Sequence, residues 1–299
     1  MSKKILVLYY TQTGQLADIL NSFTEPLKKA GHSLEFVAVH PQTAYPFPWT
    51  GKSFFSVMPD CVKGVPTSLQ PFEIRDTRYD LVIFGYQAWF LSPSIPANSM
   101  LQDPRIRAVL KNTPVITITG ARNMWISALE RIKTSFKEIG ARQVGNVVLV
   151  DKHHNLVSFI TIFHWMFKGN KERPYSFLPK PGVAEADIDH TKVLGSIVNK
   201  YLINGDWGPL QAELFANKSV VVNYNLMYTE SKATKLFAIW ANLIVKRKNR
   251  DPWLVAFKYY LIIALFLAAP LILTINALFF KPFMRTKIKK QLAYYSGVN

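Results

Sequence analysis

A short polar loop, Thr11-Gln12-Thr13-Gly14-Gln15, is the part of the sequence best suited to binding chemistry. It follows an apolar run of strand length, Ile5–Tyr10, and precedes a stretch with helical spacing of apolar side chains, Gln15–Lys29. Hydroxyl and backbone N–H groups at the start of a helix bind anions without any cationic side chain. The loop lacks both the GxxxxGK[ST] pattern of nucleoside-triphosphate sites and the GxGxxG pattern of dinucleotide sites. We therefore predict a site for a single phosphate group at this loop.

Two further loops place aromatic and polar side chains directly after predicted strands. Gly85–Pro93 follows the strand Leu81–Gly85, and Gly120–Trp125 follows the strand Val115–Thr119. In an open α/β sheet, ligands bind beyond the carboxyl ends of the strands, where such loops meet. Any one of the aromatic residues could equally be a core residue, and Arg122 could be a solvated loop residue.

Histidine is the usual base near neutral pH, and three of the six histidines stand near predicted loops. His153 and His154 come just after the strand Val144–Val150, and we predict them as candidates for the catalytic base. A solvated polar pair is the alternative. His164 lies inside the aromatic run Phe159–Phe167 and suits a packed or interfacial position. These histidines lack nearby acidic ligands at metal spacing, so we predict no metal site.

Strands alternate with helices along the first two thirds of the chain, which predicts an α/β fold with a parallel sheet. The five predicted strands are Ile5–Tyr10, Leu34–Val39, Leu81–Gly85, Val115–Thr119 and Val144–Val150, and the helices are Gln15–Lys29, Asp103–Lys111, Ile126–Ile139 and Asp187–Tyr201. We assign residues 1–205 to this domain. Two connections, 40–80 and 151–188, are too long to be simple turns, and we predict that they are lids or binding loops.

The remainder of the chain has a different character. Residues 206–252 are predicted as a linker with an amphipathic basic helix at Lys232–Lys248, and 253–299 as a membrane anchor with a basic tail. The segment Tyr259–Phe280 has 22 residues and no charge, enough to cross the roughly 30 Å of hydrocarbon in a bilayer. Five cationic residues flank it on each side, which leaves the positive-inside rule without a preference. A single span is the first expectation, and a hairpin at Pro270 is the alternative.

The charge distribution favours lipid over nucleic acid as the anionic partner. The chain carries 36 Lys and Arg against 19 Asp and Glu, a net charge of +17. The last 70 residues hold twelve of the cations and two of the acids, so they contribute +10 of that charge. The N-terminal apolar run is too short for a signal-peptide core, and we expect the protein on the cytoplasmic face of the membrane. One cysteine, Cys61, excludes an intramolecular disulfide framework.

A strand followed by T-x-T-G resembles the FMN-phosphate loop of flavodoxins and flavodoxin-like oxidoreductases, over about residues 1–205. The resemblance implies a three-layer fold with sheet order 2-1-3-4-5 and FMN as the cofactor. It implies that the phosphate binds at Thr11, Gln12, Thr13, Gly14 and Gln15, and that the flavin contacts Tyr86, Gln87, Trp89, Phe90, Gly120, Arg122 and Asn123. Tyr86 and Trp89 are the candidates for stacking. Leu16 departs from the pattern, because the family has Ser or Thr there, so one phosphate hydroxyl is missing.

Three features together resemble the dialkylresorcinol-biosynthesis proteins, which are labelled condensing enzymes or aromatases. They are the opening Val7–Leu16, the segment Gly85–Pro96 and the hydrophobic C-terminal tail. The resemblance implies oxidation of a lipid-like 2,5-dialkylcyclohexane-1,3-dione to a 2,5-dialkylresorcinol. It also implies a ketosynthase-like pathway partner that joins two acyl chains to form the dione.

Other functions stay open at the level of sequence. An NAD(P)H-dependent quinone reductase would also take an apolar ring. A membrane-anchored electron carrier of the flavodoxin type is a poorer match, because a net charge of +17 would repel basic redox partners. A flavin-free scaffold or lipid-binding protein could share the same fold, since fold alone does not fix function.

Overall fold

The computed structural model describes residues 2–298, and a five-stranded parallel sheet lies at its centre. The strands are β1 (Lys4–Tyr9), β2 (Ser33–Ala38), β3 (Leu81–Tyr86), β4 (Ala88–Trp89), β5 (Ser92–Pro93), β6 (Pro114–Ala121) and β7 (Arg142–Val150). The sheet has the order β2-β1-β3-β6-β7, while β4 and β5 form a separate two-stranded hairpin. Numbered among themselves, the five sheet strands follow the order 2-1-3-4-5, which is the flavodoxin-like arrangement. The predicted fold class is confirmed.

Helices cover both faces of this sheet. In chain order they are α1 (Gln15–Lys29), α2 (Gly51–Ser56), α3 (Met58–Lys63), α4 (Ile95–Gln102), α5 (Pro104–Leu110), α6 (Ile126–Ile139), α7 (Asn155–Lys168), α8 (Glu185–Asn204), α9 (Leu210–Ala216), α10 (Tyr224–Val245), α11 (Asp251–Ile263), α12 (Ala269–Ile275) and α13 (Arg285–Ser296). In β1, Ile5 and Val7 face α1 and α8, whereas Leu6 and Leu8 face α4, α5 and α6. Because successive strand residues point to opposite faces, both sides of the sheet are apolar and both are buried.

A close approach between α1 and α8 depends on one glycine. A Cβ atom added to Gly195 would lie 1.9 Å from the carbonyl oxygen of Phe23 in α1. Phe23 is fully buried between the two helices and the sheet. Because Gly195 has no side chain, the backbones of α1 and α8 can contact each other. These two helices form the layer on one face of the sheet.

The two predicted inserts, 40–80 and 151–188, meet at the same edge of the sheet. The first contains α2 and α3, and the second contains α7, which carries the aromatic run. The backbone N–H of Trp49 donates a 2.8 Å hydrogen bond to the carbonyl oxygen of Met166. The rings of Phe54 and Phe163 also touch, with centroids 5.7 Å apart. Both inserts therefore lie over the carboxyl ends of the strands.

The segment predicted as a linker, 206–252, packs on the sheet domain. Its long helix, α10, begins eight residues earlier than the predicted Lys232 and ends at Val245. Phe237, Ala241 and Ile244 pack with Met58 of α3 in one apolar cluster. Nearer its start, Glu230 is buried against the first turn of α6. The helix is therefore attached at two places along its length.

Residues 251–296 form one helical run, here called the apolar helix, which is long and apolar enough to cross a membrane by length and composition. Its most apolar stretch has a mean hydropathy of 2.5 and is 6% buried. Two π-helical turns, Ala264–Ala268 and Asn276–Phe280, and a 3₁₀ turn, Lys281–Met284, interrupt the α-helical geometry. The first π turn stands just before Pro270, which has no N–H to donate and whose ring crowds the preceding turn.

Candidate functional site

The predicted phosphate loop has the geometry of an anion cradle. Gly14 stands at the N-cap of α1 with φ +84, a left-handed conformation that favours glycine. Its N–H donates to Oγ1 of Thr11 at 3.2 Å, which closes the turn. The first N–H groups of a helix have no carbonyl partner within it, and the helix dipole makes this end positive. A Cβ added at Gly14 would meet nothing within 4 Å, so the space beside this glycine is open.

The side chains of the two glutamines in this loop are engaged elsewhere. Gln12 accepts a 3.1 Å hydrogen bond from Nε1 of Trp49 and donates one of 3.2 Å to the carbonyl of Pro46. Gln15 donates to the carbonyl of Val183 at 3.2 Å and accepts from its N–H at 3.1 Å. Both residues line the cleft, and their roles as cofactor ligands stay predictions. The side chains fix the two inserts against the loop.

A cleft of about 250 Å³ opens beside the cradle, slightly smaller than the roughly 300–1,000 Å³ that is typical of ligand sites. It brings together the three predicted loops and both inserts. From the loops it is lined by Gln12, Thr13, Gln15, Leu16, Gln87, Ala88, Trp89, Phe90, Gly120, Ala121 and Arg122, and from the inserts by Trp49, Phe54, Val57, Ile162, Phe163, Trp165, Met166 and Gly182. A larger, more open groove between α1 and α8 contains exposed ion pairs and none of the predicted site residues.

Six of the nineteen residues that line the cleft are aromatic. Trp89 stands edge-on to Tyr10, Tyr45 and Trp49, with centroids 6.0, 5.2 and 5.6 Å apart. Phe54 in turn contacts Trp49, at 5.9 Å. Edge-to-face pairs of this kind hold each ring in a fixed orientation. The arrangement suits a flat, apolar ligand ring.

Tyr86, predicted to stack on the ligand, is a core residue. It is fully buried between the sheet and the helices of the α6 face and does not line the cleft. Burial raises the pKa of its phenol, and the hydroxyl has no hydrogen-bond partner among residues 2–298. Tyr86 is the last residue of β3, and its position on that strand directs its ring into the core.

The next residue, Gln87, does reach the cleft wall. Its Oε1 atom is buried and has no hydrogen-bond partner within the described chain. An unpaired buried acceptor costs about 1–3 kcal/mol, so a ligand that satisfies it gains affinity.

Phe90 and Leu91 form the tip of the β4–β5 hairpin in an uncommon conformation. Both have positive φ, +48 and +62, where glycine or asparagine is usual. Each residue held in this region costs roughly 1–2 kcal/mol. The rings of Phe90 and Phe54 pack at 4.8 Å, and both hairpin residues join the apolar cluster that includes α10 and α11. The cleft wall is thus held by contacts with the C-terminal helices.

Arg122 is the only ionisable residue that lines the cleft within the described chain. Its Nη1 donates to Oδ1 and the carbonyl of Asn155 at 2.9 and 3.1 Å, and its guanidinium lies 5.8 Å from the ring of Phe159. Burial lowers the pKa of Arg122 to about 10, and nearby Asp151 opposes that shift. The guanidinium is therefore charged at neutral pH, and it is part of the cleft wall.

Asn123, also predicted as a ligand, lies behind this arginine. Its Nδ2 donates to Oδ1 of Asn155, and the residue is 9% exposed. Asn123 and Asn155 therefore position Arg122 rather than form the wall. Asn155 has no sequence signal beyond its place after the histidine pair, and the sequence analysis missed it.

His153 and His154 are exposed and lie outside the cleft. They border a separate shallow groove with Arg173 and Phe177, in the turn before α7. The N–H of His153 donates to Oδ1 of Asp151 at 3.0 Å, but neither imidazole lines the cleft. Their assignment as the catalytic base stays a prediction without a contact to the site. No group of three or more His, Cys, Asp or Glu residues suited to a metal ion occurs within residues 2–298.

No protein-family model matches the sequence, and no curated protein matches it. Solved structures with similar folds include a flavoprotein in complex with FMN from Lactobacillus acidophilus, 17% identical, which matches 49% of this chain and 93% of its own with a TM-score of 0.41. A flavodoxin from the domain Archaea is 10% identical and matches 67% and 99% of the two chains, with a TM-score of 0.37. The Fusobacterium nucleatum flavodoxin bound to flavin mononucleotide is 11% identical, with 51% and 74% coverage and a TM-score of 0.31. The strand order described above, rather than these scores, assigns the fold.

Proposed function

We propose that this protein is a membrane-associated, FMN-dependent oxidoreductase that removes hydrogen from a lipid-like ring. One observation carries the proposal: the anion cradle at Thr11–Gln15 opens beside an aromatic cleft whose one charged wall residue, within the described chain, is Arg122. A phosphate fits the positive end of a helix, and a flat ring fits an apolar, aromatic cleft. FMN combines these two groups in one molecule.

The residues present fit FMN better than a dinucleotide. The cradle would hold one phosphate through backbone amides, with Thr13 as a further hydroxyl donor, and the chain lacks a second phosphate motif. Leu16, where the resembling family has a hydroxyl, is buried and contributes none. Gln87 offers an unpaired amide for the polar edge of the ring, and Trp89 offers an apolar wall. When bound, FMN would supply the acceptor for a hydride.

The resemblance to dialkylresorcinol-biosynthesis proteins supports a 2,5-dialkylcyclohexane-1,3-dione as the substrate. A 1,3-dione is acidic between its carbonyls, and its enolate carries the negative charge that Arg122 would bind and orient. Aromatisation removes one hydride and one proton from neighbouring ring carbons, and tautomerisation completes the resorcinol. Bound FMN would accept the hydride, and water would take the proton, since no imidazole lines the cleft in residues 2–298.

The proposed setting follows from the same resemblance and from the chemistry of the substrate. A ketosynthase-like partner would join two acyl chains and deliver the dione, and the long alkyl chains would keep the dione in the membrane. Apolar area contributes about 25 cal/mol per Å² removed from water, so longer chains should bind more tightly to an aromatic cleft. The apolar helix would hold the enzyme at the cytoplasmic face.

Two matched substitutions at Gly14 test the cofactor site. Asn and Asp tolerate a left-handed conformation similarly and have nearly the same size, but only Asp is charged. Purified protein in detergent should show a flavin absorption spectrum, and Gly14→Asp should bind FMN at least tenfold more weakly than Gly14→Asn. Equal affinities would place the phosphate elsewhere, and a protein that binds no FMN would leave only a scaffold role.

Turnover assays separate the proposed reaction from quinone reduction. Alkyl cyclohexanediones of increasing chain length should be converted to resorcinols, with kcat/KM rising with chain length. Failure on every dione, combined with NAD(P)H-dependent reduction of quinones, would favour a quinone reductase. Flavin binding without either activity would favour an electron carrier.

A further inference from the structure

Both ends of the apolar helix are attached to the same globular body. At its start, Phe257 is buried and its ring lies 5.2 Å from Phe237 of α10 and 6.2 Å from Phe55 of α2. At its end, the hydroxyl of Tyr294 donates to Oε2 of Glu130 in α6 at 3.2 Å. The carbonyl of Ser296 accepts a 3.0 Å hydrogen bond from Gln211 in α9.

Its middle is attached as well. Asn276 is 1% exposed and its Nδ2 donates to the hydroxyl of Tyr224, at the start of α10, across 3.1 Å. Phe159 of α7 stands edge-on to Phe266 with centroids 5.5 Å apart. A helix that crosses a bilayer separates its two ends by roughly 30 Å of hydrocarbon. Contacts from both ends to one body would therefore place that body, with exposed ion pairs such as Lys29–Glu25 and Lys200–Glu213, inside the hydrocarbon.

The opposite side of the apolar helix is uncovered and apolar. Leu267, Leu271 and Leu278 are each more than 60% exposed, and Phe283 is 87% exposed. The ten cationic residues that flank the uncharged segment are all exposed. Exposed apolar side chains partition into the membrane interface, and basic residues beside them are attracted to anionic lipids.

A line of rings joins the cleft to this uncovered surface. From the cleft wall, Phe54 contacts Phe163 at 5.7 Å, Phe163 contacts Phe159 at 4.2 Å, and Phe159 contacts Phe266 at 5.5 Å. Ile160, next to Phe159 on α7, is 46% exposed. The apolar wall of the cleft is therefore continuous with the surface of the apolar helix.

We propose that the apolar helix lies in the plane of one anionic leaflet, and that the cleft opens past Phe159 and Phe266 toward that leaflet. The ring substrate then enters from the hydrocarbon rather than from water. The in-plane orientation depends on the packing contacts alone. The entry route rests on the proposed function, because it needs a lipid-like substrate.

Single cysteines placed before and after the uncharged segment test the orientation. Cys61 is fully buried, so the native thiol adds little background. Lys248→Cys, Thr286→Cys and the reporter Thr77→Cys are exposed positions, the last on the globular body. With an impermeant maleimide on sealed membrane vesicles, all three should react from the same side. Reaction of Thr286→Cys from the opposite side would establish a span and overturn the proposal.

Depth measurements distinguish an in-plane helix from a hairpin bent at Pro270. A fluorophore placed by cysteine substitution at position 267, 271 or 278 should be quenched alike by a lipid that carries a nitroxide near its headgroup. Deep burial at 267 and 271, which lie on either side of Pro270, with shallow burial at 278 would indicate a hairpin and overturn the in-plane orientation. Vesicles of phosphatidylcholine with phosphatidylglycerol should bind the protein at least tenfold more tightly than phosphatidylcholine alone, and equal binding would contradict an anionic leaflet.

Two matched substitutions, each of which introduces a carboxylate, test the entry route. Phe266→Glu and Leu271→Glu each add one carboxylate to the uncovered helix, but only Phe266 contacts α7. For equal amounts of vesicle-bound enzyme, Phe266→Glu should raise KM for a long-chain dione at least tenfold and leave FMN affinity unchanged, whereas Leu271→Glu should change neither. Equal effects of the two variants, or no effect, would overturn the route. If the native protein does not bind FMN, the proposed function is wrong. The in-plane orientation, which the labelling experiment tests, would not be affected by that result.

Discussion

Glu230 of α10 accepts a 2.6 Å hydrogen bond from the backbone N–H of Ser127, in the first turn of α6. The carboxyl group is 1% exposed and caps a helix whose own N-cap, Trp125, has no side-chain hydrogen bond. Since α6 follows the loop that carries Arg122, this contact links the C-terminal helices to the site. Neither residue stands out in the sequence.

The pH dependence of stability should reveal Glu230. Burial raises the pKa of this carboxyl above its usual value, and the N–H groups at the start of α6 only partly offset the shift. Its contribution to stability is therefore complete below the ordinary Glu pKa and is lost as pH rises through the raised pKa. Glu230→Gln keeps the shape and an acceptor oxygen, so we expect the variant to gain stability relative to the native protein over that interval.

Chemical denaturation in detergent from pH 4 to pH 8 measures this difference. Glu213, whose pKa is lowered by hydrogen bonds from Tyr201 and Lys200, serves as the control with the opposite sign. Above the ordinary Glu pKa, Glu213→Gln should have a lower free energy of unfolding than the native protein. Below the lowered pKa of Glu213, the two proteins should be equally stable. Parallel pH profiles for Glu230→Gln and the native protein would contradict the prediction.

Replacing Gln87 should affect stability and cofactor affinity differently. Gln87→Leu removes a buried acceptor that has no partner in residues 2–298, so the flavin-free protein should lose no stability and could gain about 1 kcal/mol. FMN affinity should fall about five- to tenfold, the value of one lost hydrogen bond. Urea unfolding of the flavin-free protein and a fluorescence titration with FMN measure the two effects. A parallel loss of both would mean that Gln87 is only a packing residue.

Arg122 should select anionic over neutral rings. A 5,5-dialkylcyclohexane-1,3-dione cannot be aromatised but still ionises, so it should bind as an anion and perturb the bound flavin spectrum. The corresponding cyclohexanone is neutral and should bind at least tenfold more weakly, because a charge-assisted hydrogen bond is worth about 1.5–3 kcal/mol. Arg122→Gln should abolish the preference.

The preference of the cleft for the anionic ligand should depend on pH. Burial lowers the pKa of Arg122 to about 10, so the preference for the anion should weaken as the pH rises past that value. A preference that is unchanged in Arg122→Gln would assign recognition of the anion to another group. That result would remove the main support for an acidic dione over a neutral quinone.

Gly195→Ala should lower the free energy of unfolding, although Gly195 lies inside a helix. Alanine normally stabilises a helix interior by about 1 kcal/mol over glycine. Here its Cβ would lie 1.9 Å from the carbonyl oxygen of Phe23, so α1 and α8 would have to separate. We expect a net loss of about 1–3 kcal/mol, the usual cost of overpacking. Gly51→Ala, where a Cβ meets nothing within 4 Å, is the control and should leave the free energy of unfolding almost unchanged.

The sequence alone determined the sheet and the place of the anion cradle. The runs that become β1 and β3 are continuously apolar, the signal of strands covered on both faces, and helical spacing begins at Gln15. These are local patterns of hydrophobicity, and a parallel sheet with helices on both faces follows from their alternation. Because loops at the carboxyl ends of parallel strands share one edge, the sequence also determined which loops would meet.

Only the tertiary structure decided what each side chain in those loops does. The side chains of Gln12 and Gln15 form hydrogen bonds with partners 34 to 37 and 168 residues away. Tyr86 and Gln87 are adjacent in sequence, yet one is in the core and the other on the cleft wall. The environment of each side chain depends on which face of the sheet it points to and on partners that are distant in the sequence. A local pattern does not encode either of these.

The C-terminal segment illustrates the same division. Its length and lack of charge are sequence properties and predict an apolar helix that suits a membrane. Whether such a helix crosses the bilayer or lies along it depends on what its two ends contact. In this fold Phe257 packs near α2 while Tyr294 bonds to Glu130 of α6, so both ends return to one body. These attachments depend on long-range packing, which a local pattern of hydrophobicity does not encode.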